Sequence, residues 1–263
     1  MDEFKFVRAG SVAGAAQAFR NAVDARYLAG GQTLLPVMKQ RLAAPSDLIS
    51  LAKIEGLAGV TVGKDGISIG AMTRHADVAA YAEIGMRLPA LAVLAGGIGD
   101  PHVRNRGTIG GSLANNDPAA DYPAAVLGLG ATVETDRRTI AADDFFQGLF
   151  ATALEPGELI TRVVFPVPAR AGYVKFPHPA SRYALVGVMV NQGADGVRVA
   201  VTGAGACVFR VPELEAALTK SFAPAAIEGF SLPEGDLTSD RFGSAAYRAH
   251  LVTVLAKRAV RQA

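Results

Sequence analysis

The sequence of 263 residues predicts an α+β fold built in two parts, and three observations support this prediction. Residues 1–55 alternate strand-like and helix-like segments in the order of a small β-α-β-α-β unit. Around Pro166–Ala171 the composition shifts to Pro, Ala, Arg and Gly, which is typical of a domain boundary. Three β-like runs and a strongly amphipathic helix follow that boundary, as expected of a sheet covered by helices.

Caps and glycines define the N-terminal unit. Ser11 is a suitable N-cap for a helix over residues 11–24, where apolar side chains recur at helical spacing. The segment "ARYLAGGQTLLPVMKQRL" then predicts a strand over Tyr27–Ala29, a Gly-Gly turn and a helix that begins near Thr33–Pro36. The segment "PSDLISLAKI" is a further extended piece, which completes the unit.

The following segments mix a hairpin with helices. Apolar and polar residues alternate on both sides of Asp65-Gly66, which predicts a β-hairpin over residues 60–69. Thr73 is expected to cap the next helix, and "LPALAVLAGGIG" predicts a buried helix rich in alanine. The segment "PAAVLGLGATVET" predicts a helix and then a strand over about 131–135. The segment "ELITRVVFPVP" predicts a strand that stops at prolines.

The C-terminal part is predicted to be a sheet with helices. The segment "YALVGVMVNQGADGVRVAVTGAGACVFRV" predicts three strands, "PELEAAL" a short helix, and "SAAYRAHLVTVLAKRAVRQA" a long terminal helix with one apolar face. Residues 221–240 are rich in Pro, Gly and Asp and are expected to form a loop. The predicted domains are therefore residues 1–170, with subdomains of about 1–55 and 56–170, and residues 171–263.

Composition excludes several classes of function. The formal net charge is +2 and no run of Lys and Arg exceeds two residues, so nucleic acid is not an expected partner. Cys207 is the only cysteine, so the chain cannot form an internal disulfide or hold an iron–sulfur cluster on its own thiolates. The four histidines stand at no metal-ligand spacing. We expect no signal peptide, no integral membrane segment and a cytoplasmic location.

The segment "RGTIGGSLANNDPAAD", residues 106–121, carries three glycines, a serine, two asparagines and two aspartates. This composition predicts neither a strand buried on both faces nor a well-formed helix. Its Gly-Gly pair and the earlier pair at 30–31 are each expected to form a turn whose N–H groups converge on a phosphate, because glycine permits close approach and positive φ. With 29 glycines in the chain, either pair alone is more simply a tight turn, but together they favour a cofactor site.

Polar side chains around the two glycine pairs are candidate donors and acceptors. The hydroxyls of Thr33, Thr108 and Ser112 and the amide of Asn115 can donate. Asp121 is expected to accept from sugar or ribityl hydroxyls, or from a ring N–H, rather than to contact phosphate. The sequence has no GxGxxG opening a helix, no Walker A lysine motif, no GxSxG and no HExxH. A dinucleotide would therefore be held by an arrangement other than a Rossmann or P-loop fold.

Four segments together resemble the FAD-binding medium subunit of the molybdenum hydroxylases. They are "LAGGQTLLPVMKQRLAAPSDLISL", "IGDPHVRNRGTIGGSLANNDPAADYPAAVLGLGA", "KFPHPASRYALVGVMV" and "SAAYRAHLVTVLAKRAV". This group includes xanthine dehydrogenase, aldehyde oxidoreductases and aerobic carbon monoxide dehydrogenase, and the resemblance is strongest to the last. It runs along the whole chain except residues 221–240. It implies an FAD-binding PCMH-type domain of two α/β subdomains, followed by a C-terminal domain of antiparallel sheet and helices.

The resemblance also implies which residues contact FAD. Those of the first loop are Leu28, Ala29, Gly30, Gly31, Gln32, Thr33 and Leu34. Those of the second are Ile98, Gly107, Thr108, Gly110, Gly111, Ser112, Ala114, Asn115 and Asp121. Ile160, Lys175 and Tyr183 would complete the site.

Two of these residues have specific expected roles and simpler alternatives. Lys175 would lie near the pyrimidine edge of the flavin and favour its anionic reduced form; otherwise it is a surface lysine that ends a strand. Tyr183 would stack on or shield the isoalloxazine; otherwise it is a half-buried aromatic residue in a strand. Arg104 and Arg106 would pair with phosphate, with acids of this chain or with a partner, and Cys207 is expected in the core.

The function that the resemblance implies is electron transfer. Substrate would be hydroxylated at a molybdenum cofactor on a large subunit, and electrons would pass through [2Fe-2S] clusters on a small subunit to FAD on this chain. An external acceptor would then reoxidise the flavin. The expected assembly is a dimer of heterotrimers, in which this chain supplies neither a catalytic acid or base nor a metal ligand.

Two alternatives stay open. The first is a self-contained FAD-dependent oxidoreductase of the same fold, such as a MurB-like reductase or an alcohol oxidase, which would need its own substrate pocket. The second is a non-catalytic scaffold that has lost its flavin. The intact glycine segments disfavour the scaffold.

Overall fold

The computed structural model describes residues 1–64 and 66–263 of the chain. Its N-terminal part alternates strands and helices. In chain order these are β1 (Lys5–Arg8), α1 (Val12–Asn21), β2 (Ala25–Leu28), α2 (Leu34–Lys39) and β3 (Asp47–Ser50).

The three strands form a parallel sheet in the order β1-β3-β2, with β3 at the centre. The predicted β-α-β-α-β unit is confirmed. The Ser11 hydroxyl caps α1 by accepting the Gly14 N–H at 3.0 Å, as its position before an apolar run predicts.

The middle part of the chain contains a second sheet, a two-stranded ribbon and seven helices among the described residues. In chain order these are β4 (Val60–Val62), β5 (Ile67–Gly70), α3 (His75–Ala80), α4 (Ala82–Arg87), α5 (Pro89–Gly96), α6 (Pro101–Arg104), α7 (Ile109–Asn115), α8 (Tyr122–Leu129), β6 (Thr132–Thr135), β7 (Thr139–Ala141), α9 (Ala142–Phe145), β8 (Phe146–Gly148), β9 (Ala151–Thr152) and β10 (Ile160–Phe165).

The second sheet has five antiparallel strands in the order β4-β5-β10-β6-β7, and β8 pairs with β9 as the ribbon. The predicted hairpin is confirmed as β4 and β5, although Asp65 of its turn lies outside the described residues. The predicted cap by Thr73 is wrong. Arg74 is the N-cap of α3, and the Thr73 hydroxyl instead bonds both backbone groups of Gly59 at 2.9 and 3.0 Å.

The C-terminal part is an antiparallel sheet covered by helices. Its elements are β11 (Arg170–Pro177), β12 (Ala184–Gly193), β13 (Gly196–Thr202), β14 (Phe209–Arg210), α10 (Pro212–Lys220), a 3₁₀ helix (Pro224–Ile227) and α11 (Ala245–Gln262). The strands pair in chain order, so the three predicted strands are β12, β13 and β14, and β11 adds a fourth. Among the described residues, no helix combines the length and hydrophobicity needed to cross a bilayer.

One apolar cluster joins the middle and C-terminal parts. All eight residues of α8 are buried, and this helix packs against β12 and β13. At Gly128 an added Cβ would lie 2.7 Å from Cγ of Met189, so only glycine lets the helix approach the sheet this closely. Tyr173, Met189 and Ala200 of the C-terminal sheet therefore belong to the core that α8 shares with the five-stranded sheet.

Candidate cofactor site

The first loop, residues 28–34, connects β2 to α2 and contains the Gly30–Gly31 pair. Gly31 has φ of +74°, the left-handed conformation that favours glycine. In the described part of the chain, the N–H groups of residues 30 to 33 donate to no protein acceptor. Consecutive free N–H groups in such a turn form a cradle for an anion. The first predicted phosphate loop is therefore present as a backbone feature.

The second loop, residues 106–116, differs from its prediction. Gly110 and Gly111 do not form a turn but lie in the first turn of α7, whose N-cap Thr108 accepts the Gly111 N–H at 3.2 Å. The Gly110 N–H donates to the Ala71 carbonyl at 2.8 Å. An added Cβ on Gly110 would lie 2.6 Å from Cβ of Ala71, so this glycine serves helix packing. A hydroxyl cap and close packing thus make a helix of a segment that its composition did not favour.

The two loops touch each other. A Cβ on Gly30 would overlap the Arg106 carbonyl and lie 2.8 Å from Cα of Gly107. Close by, a Cβ on Gly111 would lie 3.6 Å from Cβ of Ala29. These contacts bring the two sequence motifs, about 75 residues apart, to one continuous surface.

His75 supports the second loop from behind. It is 5% exposed, its backbone N–H donates to the Gly107 carbonyl at 3.0 Å, and its ring lies 5.3 Å from that of Tyr122. Burial, and to a lesser extent the charge of Arg104, lower the pKa of His75 to about 4. A Cβ on Gly107 would lie 2.5 Å from Nε2 of His75, so a neutral imidazole fills the space that this glycine leaves.

A cleft of about 510 Å³ opens between the middle part of the chain and the β11–β12 turn. Four basic side chains line it, and no acidic side chain of the described residues does so: Arg104, Lys175, His178 and Arg182. The backbone of Gly97 and Gly99 forms part of the opposite wall. Arg104 and Gly107 are three positions apart, so one short segment runs from this cleft to the contact between the two loops.

Lys175, which lines the cleft, forms an ion pair with Asp121, a buried residue that does not line it. The Lys175 Nζ lies 2.9 Å from Oδ1 and 3.1 Å from Oδ2 of Asp121, and it also donates to the carbonyls of Gly97 and Arg182 at 2.8 and 3.1 Å. The Tyr173 hydroxyl donates to Oδ1 of the same carboxylate at 2.6 Å. Burial raises the pKa of Asp121 above its ordinary value, while Lys175 and Tyr173 oppose that rise.

Tyr183 follows the left-handed residue Arg182 in the β11–β12 turn and is 47% exposed. Burial of its phenol, together with the charges of Asp117 and Asp121, raises its pKa. The phenol therefore lies within electrostatic range of both carboxylates, and about half of the side chain is exposed. This placement is compatible with stacking on a planar ligand, and that role stays a prediction.

The other predicted contact residues lie at varied depths. Ile98 is half-buried between two glycines of the cleft wall, and Ile160 is 3% exposed in the core of the five-stranded sheet, where it is not brought to the cleft. In α7, Ala114 is exposed, while Ser112 and Asn115 are half-buried. Leu28 and Leu34, at the two ends of the first loop, are half-buried.

Several residues near the site were not predicted, or were predicted without a role. Arg104 donates to the carbonyls of Ile98 and Gly99 at 2.9 and 3.1 Å, which ties together the segment beside the cleft. Tyr173 was missed, although its position two residues before Lys175 puts both side chains on one face of a strand. Cys207 is half-buried, with its Sγ 3.6 Å from the Asn116 amide.

The residues present fit FAD, the cofactor that the resemblance implies. Four free N–H groups without intervening side chains suit a diphosphate, and the segment from Gly107 to Arg104 leads from them to the basic cleft. Lys175, the basic member of the ion pair with Asp121, lines that cleft, and so does Tyr173. In contrast, no group of three or more His, Cys, Asp or Glu side chains among the described residues could hold a metal ion.

Known proteins resemble this chain in sequence and in structure. The family described as "FAD binding domain in molybdopterin dehydrogenase" matches residues 2–168. The nicotine 6-hydroxylase medium subunit of Paenarthrobacter nicotinovorans is 38% identical over 91% of this chain and 90% of its own length. The carbon monoxide dehydrogenase medium chain of Afipia carboxidovorans is 35% identical over 91% of this chain and 89% of its own.

A solved structure extends the match to the whole chain. The carbon monoxide dehydrogenase of Hydrogenophaga pseudoflava that lacks the Mo-pyranopterin moiety contains a chain with 34% identity and a TM-score of 0.89. The match covers 100% of this chain and 97% of that one. The predicted α+β fold and family resemblance are therefore confirmed, and this protein belongs to the FAD-binding medium subunits of the molybdenum hydroxylases, as an oxidoreductase subunit.

Proposed function

We propose that this chain is the electron-transfer flavoprotein subunit of a molybdenum-dependent hydroxylase or dehydrogenase complex. It takes electrons from iron–sulfur clusters on a partner subunit and passes them to an external acceptor. The observation that carries this proposal is the direct contact between the two loops, beside four free backbone N–H groups. FAD, when bound, supplies the redox chemistry, because a flavin can accept electrons singly and deliver them as a pair.

The residues of this chain bind and orient the cofactor. The N–H groups of residues 30 to 33 hold the diphosphate, and the close packing of Gly30 on Gly107 fixes the position of that cradle. Asp121 accepts a hydrogen bond from the flavin or its ribityl chain. Lys175 places a positive charge at the same end, which favours the anionic reduced form.

Partner subunits complete the proposed complex. Relatives of this chain are named as medium subunits or medium chains, which implies assembly with other chains. We place the molybdenum cofactor on a large subunit and the [2Fe-2S] clusters on a small subunit, in a dimer of heterotrimers. The substrate pocket then lies on another chain, which is why relatives with nicotine and carbon monoxide as named substrates share this fold.

The test is purification of the chain from its native cells together with whatever binds it. We expect two further chains, metal analysis that finds molybdenum and iron, and about one FAD per copy of this chain. Substrate should bleach the flavin absorbance only when all three chains are present. A lone chain that oxidises or reduces a substrate by itself would overturn the proposal and favour the self-contained oxidoreductase. A lone chain without flavin under saturating FAD would favour the scaffold.

A further inference from the structure

Two side chains of one strand converge on a single buried carboxylate. Tyr173 and Lys175 are two positions apart on β11, so both project from the same face of the strand. Both reach Asp121, the residue before α8, on the other side of the boundary between the middle and C-terminal parts. Tyr173 is 4% exposed and Asp121 is 5% exposed. The C-terminal sheet thus supplies both partners of a carboxylate that belongs to the FAD-binding region.

Counting hydrogen bonds shows which of the three groups can still bind a ligand. The ammonium of Lys175 has three protons, and its three partners are Asp121 and the carbonyls of Gly97 and Arg182. The single proton of Tyr173 goes to Oδ1 of Asp121. A carboxylate has about four acceptor sites, and Lys175 and Tyr173 supply two protons to this one. Asp121 therefore retains acceptor capacity on Oδ2, which Tyr173 does not contact, while the Tyr173 hydroxyl retains only the acceptor lone pairs of its own oxygen.

The Tyr173 hydroxyl is a permanent donor. Burial and the adjacent charge of Asp121 raise the pKa of Tyr173 well above its ordinary value, so the phenol stays protonated. At 2.6 Å its bond to Oδ1 is short, as expected for a hydroxyl that donates to a charged oxygen. This bond fixes the plane of the carboxylate, and with it the direction in which Oδ2 presents its remaining lone pair.

We propose that Tyr173 is a positioning residue for FAD: it holds the Asp121 carboxylate so that Oδ2 can accept a hydrogen bond from the flavin. This inference rests on the proposed function, since it assumes that FAD occupies the cleft and contacts Asp121. Tyr173 itself acts only through Asp121. Its hydroxyl serves orientation, whereas Lys175 supplies the countercharge.

The neighbouring tyrosine provides a matched control. Tyr122 follows Asp121 directly and is also fully buried, but among the described residues its hydroxyl has no hydrogen-bond partner. Tyr122→Phe and Tyr173→Phe each remove one buried phenolic oxygen from the same neighbourhood. Only the second removes a bond to Asp121.

The experiment measures the dissociation constant of FAD and the flavin midpoint potential on the full chain, in its complex. We expect Tyr173→Phe to weaken FAD binding roughly 10- to 100-fold, as for a lost bond to a charged group, and to shift the potential. Tyr122→Phe should change affinity by less than about 3-fold and leave the potential unchanged. The same affinity and potential for both variants would overturn the inference.

A double-mutant cycle separates positioning from general packing. In an Asp121→Asn background, Tyr173→Phe should weaken FAD binding by no further measurable factor, because its effect passes through that carboxylate. Full additivity of the two changes would show that Tyr173 acts by another route and would also overturn the inference. A wild-type complex that binds no FAD would instead contradict the proposed function. Failure of the Tyr173 inference and failure of the proposed function therefore give different results.

Discussion

The two Gly-Gly pairs look alike in the sequence and differ in the structure. Gly30 and Gly31 lie in an irregular loop with free N–H groups, whereas Gly110 and Gly111 lie in the first turn of α7 with their N–H groups already paired. The first pair is therefore free to bind an anion through the backbone. The second pair supports it, because small residues let α7 and the preceding segment pack against Ala71 and Ala29. Two pairs of the same composition thus have different roles: the first can bind an anion, and the second supports the packing around it.

The largest effect is expected at the contact between the loops. In Gly30→Ala the new methyl group would overlap the Arg106 carbonyl, which must move and take Gly107 with it. We expect FAD affinity to fall at least roughly 100-fold, because overpacking at this point separates the two loops. Flavin content after gel filtration measures the loss.

Gly85→Ala is the control for that variant. Gly85 lies in α4, and a Cβ there has no described atom within 4 Å outside its own helix and neighbours. This variant should retain FAD and fold at least as well as wild type, since alanine favours helix. Stoichiometric FAD in Gly30→Ala would mean that the loops do not act together.

Acid should weaken the second loop through His75. Its pKa is lowered from 6.5 to about 4, so between those values the unfolded chain binds a proton that the folded chain does not. The free energy of unfolding should therefore fall by about 3 kcal/mol as the pH drops from 6.5 to 4. Urea unfolding across that range measures this slope.

His75→Leu should remove that part of the pH dependence, while His102→Gln, at an exposed position of α6, should leave it intact. Carboxylates also titrate below pH 5 in every variant, so the measured slopes are compared between variants. An unchanged slope in His75→Leu would place the acid sensitivity elsewhere.

Gly110→Ala should act on stability more than on affinity. Its methyl group would meet Ala71 at 2.6 Å, and we expect a loss of about 1–3 kcal/mol in the free energy of unfolding. The first loop is untouched, so the folded fraction should still bind FAD with an affinity within about 5-fold of wild type. If FAD affinity falls as far as in Gly30→Ala, the second glycine pair contributes to binding as well as to packing, and the proposed difference between the pairs is wrong.

The smallest effect is expected from the threonines that precede each helix. Thr108→Ala removes the hydroxyl that accepts the Gly111 N–H and should cost about 1 kcal/mol of stability. Thr33→Ala should cost little, because in the described chain Thr33 makes no side-chain cap bond to α2. Thermal unfolding of the two variants without FAD compares them, and equal losses would contradict the difference between the loops.

Local features of the sequence predicted much of the fold. Ser11, the alternation around residues 60–69 and the apolar face of α11 act over short distances, and each element formed as expected. The helix at α7 was missed because its stability depends on packing against Ala71, which no local pattern shows. The Thr73 cap was wrong for a related reason, since a tertiary bond to Gly59 takes its hydroxyl.

In the candidate site, too, the sequence predicted local features but not tertiary contacts. The role of Gly30 and Gly31 could be assigned from the sequence because it depends on the backbone alone. The convergence of Tyr173 and Lys175 on Asp121 joins residues 52 and 54 positions apart, and only the fold places them together. The role of Asp121 as an acceptor for FAD therefore stays a prediction, and Oδ2, which Tyr173 does not contact, is the oxygen to which it is assigned.

Helix α8 couples the stability of the middle part of the chain to that of the C-terminal sheet. The family match ends at residue 168, yet every side chain of this helix is enclosed, with β12 and β13 on one side and the rest of the FAD-binding region on the other. A polypeptide cut at that residue would expose the face of the helix that packs on β12 and β13, at a cost that scales with the apolar area uncovered. Unfolding of the terminal sheet should thus expose α8 and destabilise the five-stranded sheet that shares its core.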